Sequence, residues 1–263
     1  MIWSSALLAV TLAIAGPVPE ATVLPDGPAT GLDVLRLMHD AYHGKWYRTL
    51  TFTQKTTTRR PNGVDTVMTW YESVRYSDAK GTELRIDIGD PALGNGVLYT
   101  ADSVRVMRSG KLAVTRAGGN ALLPLIEGVY MQPVERTAAE LAPTKVDLER
   151  AVVDGRWNNR PVWIVGAAST ADTVSPQFWV DVERKAVVRA ILIPAPSAPL
   201  MDIRLDELVP LAGGWLATRC DFLVAGVRSQ REEYGDWKAN VELSPALFDP
   251  ASWTAAPHWA AKH

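Results

Sequence analysis

Cysteine is all but missing. Cys220 is the only one in the chain, so neither an intramolecular disulfide nor a thiolate metal site can form. A charge bias is missing too. The net charge is −2 and no long basic run occurs, which excludes the electrostatic footprint of a nucleic-acid binder. No serine sits in a G-x-S-x-G context, which excludes a nucleophile-elbow hydrolase. Long apolar runs are missing with one exception. Residues 2–15, IWSSALLAVTLAIA, match the length of a signal-peptide core and are too short to span a bilayer comfortably. Ala13-Ile14-Ala15 gives the small-x-small pattern that precedes a cleavage point, with no Lys or Arg ahead of the run. A signal peptide at 1–15 and a periplasmic or otherwise exported location are expected. No cysteine follows the run, so lipid attachment there is not available.

What is present is ordinary globular material with one excess. Of 263 residues, 47% are hydrophobic and 21% charged, enough for a core of useful size. Ten are tryptophan. Each indole is a large apolar surface with one donor, so this count points to an interior or groove that must be filled.

Residues 16–29 are rich in Pro and Gly and read as a linker. A single domain over 30–250 follows, then a loose tail at 251–263 onto which Trp253 and Trp259 bring docking groups. Thr30 is placed as a helix N-cap with Asp33 at the third position, and Leu32, Leu35, Met38 and Tyr42 form one stripe that ends at Gly44. Beyond it, period-two patterns dominate. Leu50 and Phe52 alternate with threonines, while Met68, Trp70, Val74 and Tyr76 share a face with Glu72. Leu84, Ile86 and Ile88 alternate strictly with Glu83, Arg85 and Asp87, the pattern of a sheet with one dry and one wet face. The apolar segment 120–130 breaks this rhythm, and Thr137-Ala138-Ala139-Glu140 fits a capping box opening a short helix. Strands resume after 150. Residues 177–193 form the clearest hairpin, with Asp181 to Lys185 as a solvent-facing corner. The expected fold class is α+β, mainly antiparallel: a curved, unclosed barrel of about 10–11 strands, since so wide a sheet twists and curls. The N-terminal helix and a short helical insert cover its concave face.

Candidate site residues follow from the faces. Leu50, Phe52, Met68, Trp70, Leu84, Ile86, Ile203, Leu205 and Phe222 are placed on the dry face, either as a hydrophobic ligand lining or as a closed core. His39 and His43 stand at i and i+4 with Asp40 between them, a weak echo of the H-E-x-x-H zinc hydrolases without a third ligand nearby. On an exposed helix face they are plain polar residues. Asp202, Arg204, Asp206 and Glu207 read as a solvated outer face, and Arg231-Glu232-Glu233 as a surface charge run. Cys220 falls on an apolar strand face and reads as packing. Glu72 reads as a strand-end carboxylate in water; if buried, it needs a cation partner or a raised pKa.

Two segments carry a family resemblance. Phe178-Trp179-Val180-Asp181 followed by Val187-Val188-Arg189 is similar to the aromatic-hydrophobic-Asp hairpin of the LolA/LolB-like superfamily. Tyr234-Gly235-Asp236-Trp237 with Asn240, Leu243, Phe248 and Pro250 resembles that family's closing segment. These are bacterial periplasmic lipoprotein carriers, with the N-terminal domain of RseB-type regulators among their relatives. The resemblance implies an unclosed barrel with helices over its mouth, a non-catalytic monomer with no cofactor, and lipid or lipoprotein acyl chains as cargo. It also implies a membrane-protein donor or acceptor, or, as an alternative, a regulatory interaction module of the same fold.

Overall fold

The computed structural model describes residues 27–193 and 198–260; the expected signal peptide and residues 16–26 of the linker lie outside them. α1 spans Gly31–Tyr42. Thr30 closes a reciprocal box at its start: the Thr30 hydroxyl accepts the Asp33 amide at 3.3 Å, and Asp33 accepts the Thr30 amide at 3.0 Å. Val34, Leu35 and Met38 are fully buried on its inner face.

Thirteen strands follow, more than the sequence periodicity suggested, because the short segments each keep a ladder of their own. The first six are β1 (Thr49–Arg59), β2 (Asp65–Ser77), β3 (Gly81–Ile88), β4 (Gly96–Tyr99), β5 (Ser103–Arg108) and β6 (Lys111–Ala117). The other seven are β7 (Val153–Trp157), β8 (Arg160–Val165), β9 (Gln177–Asp181), β10 (Ala186–Leu192), β11 (Met201–Leu211), β12 (Gly214–Val224) and β13 (Val227–Ala239). Each half is a simple antiparallel meander. The halves meet where β1 pairs with β13, giving the order β6-β5-β4-β3-β2-β1-β13-β12-β11-β10-β9-β8-β7. The outermost strands β6 and β7 do not pair, so the sheet is curled but unclosed.

The concave side holds the main core. It gathers Leu50, Val74, Leu84 and Ile86 from one meander and Phe178, Val180, Ile203 and Leu205 from the other. The 177–193 hairpin forms as expected, but its corner is anchored rather than free. Asp181 is only 1% exposed and accepts the amides of Glu183 (3.0 Å) and Arg184 (2.9 Å) together with Arg160 Nε (2.5 Å).

The convex side corrects the alternation argument for β3. Glu83, Arg85 and Asp87 are not wet; all three are buried. The chain after β13 lies over them, with two 3-10 turns, Pro245–Phe248 and Pro250–Ser252. Arg85 grips Asp87 through Nε (2.7 Å) and Nη2 (2.8 Å), and donates to the carbonyls of Leu247 (2.8 Å) and Trp253 (2.9 Å). Its guanidinium lies 3.9 Å from the centroid of the Trp253 ring. A buried ion pair is tolerable only with its lone pairs and protons satisfied, and here they are. Trp253 also packs with Leu98, Met107, Leu247 and Phe248. Farther on, His258 reaches Asp87 at 3.1 Å and the Trp259 indole donates to Ser73 Oγ at 2.9 Å. Residues 251–260, read as a loose tail, thus form a strap across β2 to β5. Its energetic weight is testable by chemical denaturation: Trp253→Ala is expected to lower stability by about 3–5 kcal/mol, the range for truncating a large buried aromatic. A loss below ~1 kcal/mol would mean that the strap rides passively on the sheet.

Candidate functional site

Because β6 and β7 are far apart, the chain between them must cross the open side of the sheet. This insert carries α2 (Leu123–Ile126), a 3-10 turn at Gly128–Tyr130 and α3 (Val134–Leu141). The capping box expected at Thr137 does not exist. The helix starts four residues earlier, after Pro133, and Thr137 is buried inside it, where its hydroxyl accepts from Gln132 Nε2 at 3.2 Å. Leu123, Leu125, Val129 and Tyr130 plug the concave face beneath α1. Tyr130 stacks on Trp46 with ring centroids 3.7 Å apart. Beside them Glu127 is buried, accepting the Tyr47 hydroxyl at 2.6 Å and the Trp46 indole N–H at 3.1 Å. Burial pushes its carboxyl up to about 7, against the pull of those two donors. Glu127 therefore latches the insert to the segment that leads into β1.

The ladders put all nine proposed lining residues on one face. Phe52 opposes Glu72, which opposes Ile86; Leu50 reaches Leu84 through Val74; Thr56 opposes Met68, and Gln54 opposes Trp70. On the other side of β1, Thr56 opposes Glu232, Glu232 opposes Cys220, and Cys220 opposes Leu205. Gln230 opposes Phe222, which opposes Ile203. Burial then divides the set. Leu50, Leu84, Ile86, Ile203 and Leu205 are buried in the same cluster as the insert's leucines. Phe52, Trp70 and Phe222 are half-buried, and Met68 is 49% exposed. The concavity is filled under the helices and uncovered at its far end. Two clefts, of about 200 and about 440 Å³, lie outside this uncovered end: one at the Trp157–Arg160 corner, which touches Leu205 of the nine, the other on the convex side between Arg75 and Phe248.

Two residues of the concave face went unrecognised in the sequence. Glu72 is not in water at a strand end; it is 5% exposed, mid-strand in β2. Glu232 is not part of a surface run, since it is 8% exposed while its neighbour Glu233 faces solvent. The signal was available in the period of two: Gln230, Glu232 and Tyr234 share one face, and Arg231 and Glu233 the other. Glu232 accepts Gln230 Nε2 at 2.5 Å and the Tyr234 hydroxyl. Burial raises both carboxyls above the ordinary range, and the charge of Glu232 raises Glu72 further.

The remaining candidates are placed as follows. His39 donates Nδ1–H to the Val129 carbonyl at 3.1 Å and lies 4.5 Å, ring to ring, from His43. Among the described residues no group of three or more His, Cys, Asp or Glu side chains is arranged to hold a metal. Cys220 is fully buried, and burial pushes its thiol up. Asp202 is only partly solvated: Arg189 clamps it at 2.8 and 3.0 Å and Arg204 at 2.8 Å. Arg189 also lies over the Trp179 ring at 4.6 Å.

No family model matches this chain, and no curated protein matches it in sequence. Solved structures do. A domain named as an outer membrane lipoprotein-sorting protein, from Vibrio parahaemolyticus, superposes with a TM-score of 0.61 at 11% identity, over 85% of this chain and 98% of its own. A LolA superfamily protein from Nitrosomonas europaea gives 0.51 at 13% identity, over 84% and 98%. The fold is LolA-like. A DUF1329 family protein from Desulfovibrio piger shares it at 0.57 and 14% identity, over 83% and 95%. At such identities the likeness is one of architecture. The motif residues have architectural roles to match: Asp181 and Arg189 as above, Asn240 accepting the Arg48 amide at 3.0 Å, and Phe248 under the Arg75 guanidinium at 4.2 Å.

The Glu127 latch has a pH signature of known sign. Its carboxyl pKa is raised in the folded chain, so the penalty of ionising it is absent below about 4.5 and grows as pH rises towards 7. A rise from 4.5 to about 7 corresponds to roughly 3 kcal/mol. Urea titrations at acidic and neutral pH are expected to show that Glu127→Gln loses less stability on going to neutral pH than the wild type does. An identical pH dependence in both proteins would show that Glu127 ionises freely.

Proposed function

We propose that this protein is a non-catalytic carrier of hydrophobic ligands, lipid or lipoprotein acyl chains, in the periplasm. One observation carries the reading: the concave face runs from a helix-covered apolar core to an uncovered apolar end, where Phe52, Trp70 and Phe222 are half-buried and Met68 is exposed, with buried polar side chains between the two. A surface of that kind, continuous with a core and rimmed by polar groups, marks a binding site. The shared fold with a domain named for lipoprotein sorting supports it. Among the described residues no helix is long and apolar enough to cross a membrane.

The energetics suit transient carriage. At ~0.8 kcal/mol per buried methylene, about ten methylenes supply roughly 8 kcal/mol before ordering costs, near a micromolar dissociation constant. Longer chains need the space that the insert occupies, so the latch at Glu127 is the point at which the cover yields. Donor and acceptor proteins in a membrane fit the same scheme. A regulatory interaction module is the second reading, favoured by the edge strand β6. It is exposed along its whole length and shows Leu112 and Val114 to solvent, an unpaired edge to which a partner strand can add.

A fluorescent fatty-acyl probe titrated against the purified protein is expected to bind saturably in the micromolar range. Met68→Asp, at an exposed position where folding tolerates it, should weaken binding by about ten-fold. No binding at tens of micromolar removes the carrier reading and leaves the interaction module.

A further inference from the structure

The concave face has a polar band that a purely greasy cavity does not need. It lies where the covered and uncovered halves of the concavity meet, on the strands flanking the β1–β13 seam. From β2 comes Glu72; from β13 come Glu232, Gln230 and Tyr234; from β1 come Gln54 and Thr56, with Gln54 donating to Thr56 at 2.7 Å. Tyr99 on β4 lies near both carboxyls, and the thiol of Cys220 on β12 lies beside Glu232. Every group that faces them is acidic or neutral.

Glu232 at least has donors. Glu72 has none: among the described residues no hydrogen bond or ion pair reaches its carboxyl, and although the residue is only 5% exposed, its carboxyl oxygens are not sealed from solvent. No cation is among the groups that act on either residue. A carboxyl set in so largely buried a position, reached by solvent but by no protein donor, is costly to ionise and is open to a partner from outside. On the opposite face of the same sheet the chain solves that problem in full, with Arg85 on Asp87, Arg75 on Glu83 and Arg189 on Asp202. Inside the concavity, among the described residues, the carboxyls of Glu72 and Glu232 act on one another with no guanidinium supplied.

We propose that the cation comes with the cargo: the ligand is an amphiphile whose head is an ammonium group, seated between Glu72 and Glu232, with its chain along Phe52, Trp70 and Phe222. The proposal rests on the hydrophobic-carrier reading above and narrows it to one head-group chemistry. Three properties of the band favour it. Two carboxyls in a low-dielectric setting attract a cation far more strongly than the same pair in water. The rings of Tyr234 and Trp70 offer π-faces at the same level. A carboxylate or phosphate head would bring no counter-charge to either glutamate. As the ammonium enters, the Glu72 carboxylate gains the counter-charge that the chain does not provide.

The test is a competition titration at neutral pH, below micelle-forming concentrations, with decylammonium, decanol and decanoate displacing a fluorescent acyl probe from the full chain. Decylammonium is expected to bind at least about ten-fold more tightly than decanol and decanoate. In the Glu72→Gln/Glu232→Gln variant, checked for folding by near-UV circular dichroism, that ratio should fall to within about two-fold. Should the double variant fail to fold, Glu72→Gln alone serves, because it sacrifices no hydrogen bond, and the ratio should fall several-fold. Equal binding of the three ligands by the wild type, or a preference that survives the substitutions, overturns the ammonium site and leaves the carrier intact. Failure of the probe and all three ligands to bind overturns both.

Discussion

The pairing of β1 with β13 is the constraint around which the molecule is arranged. Each meander alone is a chain of local hairpins that leaves one face bare. Joined at this seam, the two make a sheet of thirteen strands, too wide to stay flat, and its right-handed twist rolls it into a trough. The roll does not close, because β6 and β7 stand at opposite edges with no ladder between them. The insert that connects them must therefore run across the trough. Covering the concave face is a consequence of connectivity as much as of hydrophobicity.

The two faces of the sheet handle polarity in opposite ways. On the convex side the strap from Pro245 onward buries a row of charges, and each finds its counter-charge within the row or on the neighbouring strand. The geometry is bidentate where it is deepest, at Arg85 and Asp87, which is the arrangement that makes a buried ion pair tolerable. On the concave side Glu127, Glu72 and Glu232 are all buried, with donors from Tyr47 and Trp46 for the first, from Gln230 and Tyr234 for the last and, among the described residues, none for Glu72. The structure is thus most finished where it holds itself together and least finished where a ligand would sit.

Much of the local structure was legible in the chain. The Thr30–Asp33 box, the stripe of α1 and the hairpin at 177–193 followed from residue type and spacing alone, because caps and turns depend on interactions a few residues apart. That the nine proposed lining residues share one face followed as well, since alternation of side chains along a strand is a property of the backbone. Other readings failed for one shared reason. Glu83, Arg85 and Asp87 look like a wet face until the strap is laid over them. Glu72 and Glu232 look like surface acids until the trough curls around them. Thr137 mimics a cap because the motif is short, and tertiary packing around Gln132 and Pro133 overrode it.

The sequence by itself determined which side chains share a face, where the hairpins turn and where the first helix begins and ends, since these depend on backbone geometry and near-neighbour contacts. Only the tertiary structure decided what each face meets. Whether a face is solvent, core or site depends on segments far away in sequence, on the strap from 245 to 260 and the insert from 118 to 152, and burial is set by where those segments come to rest.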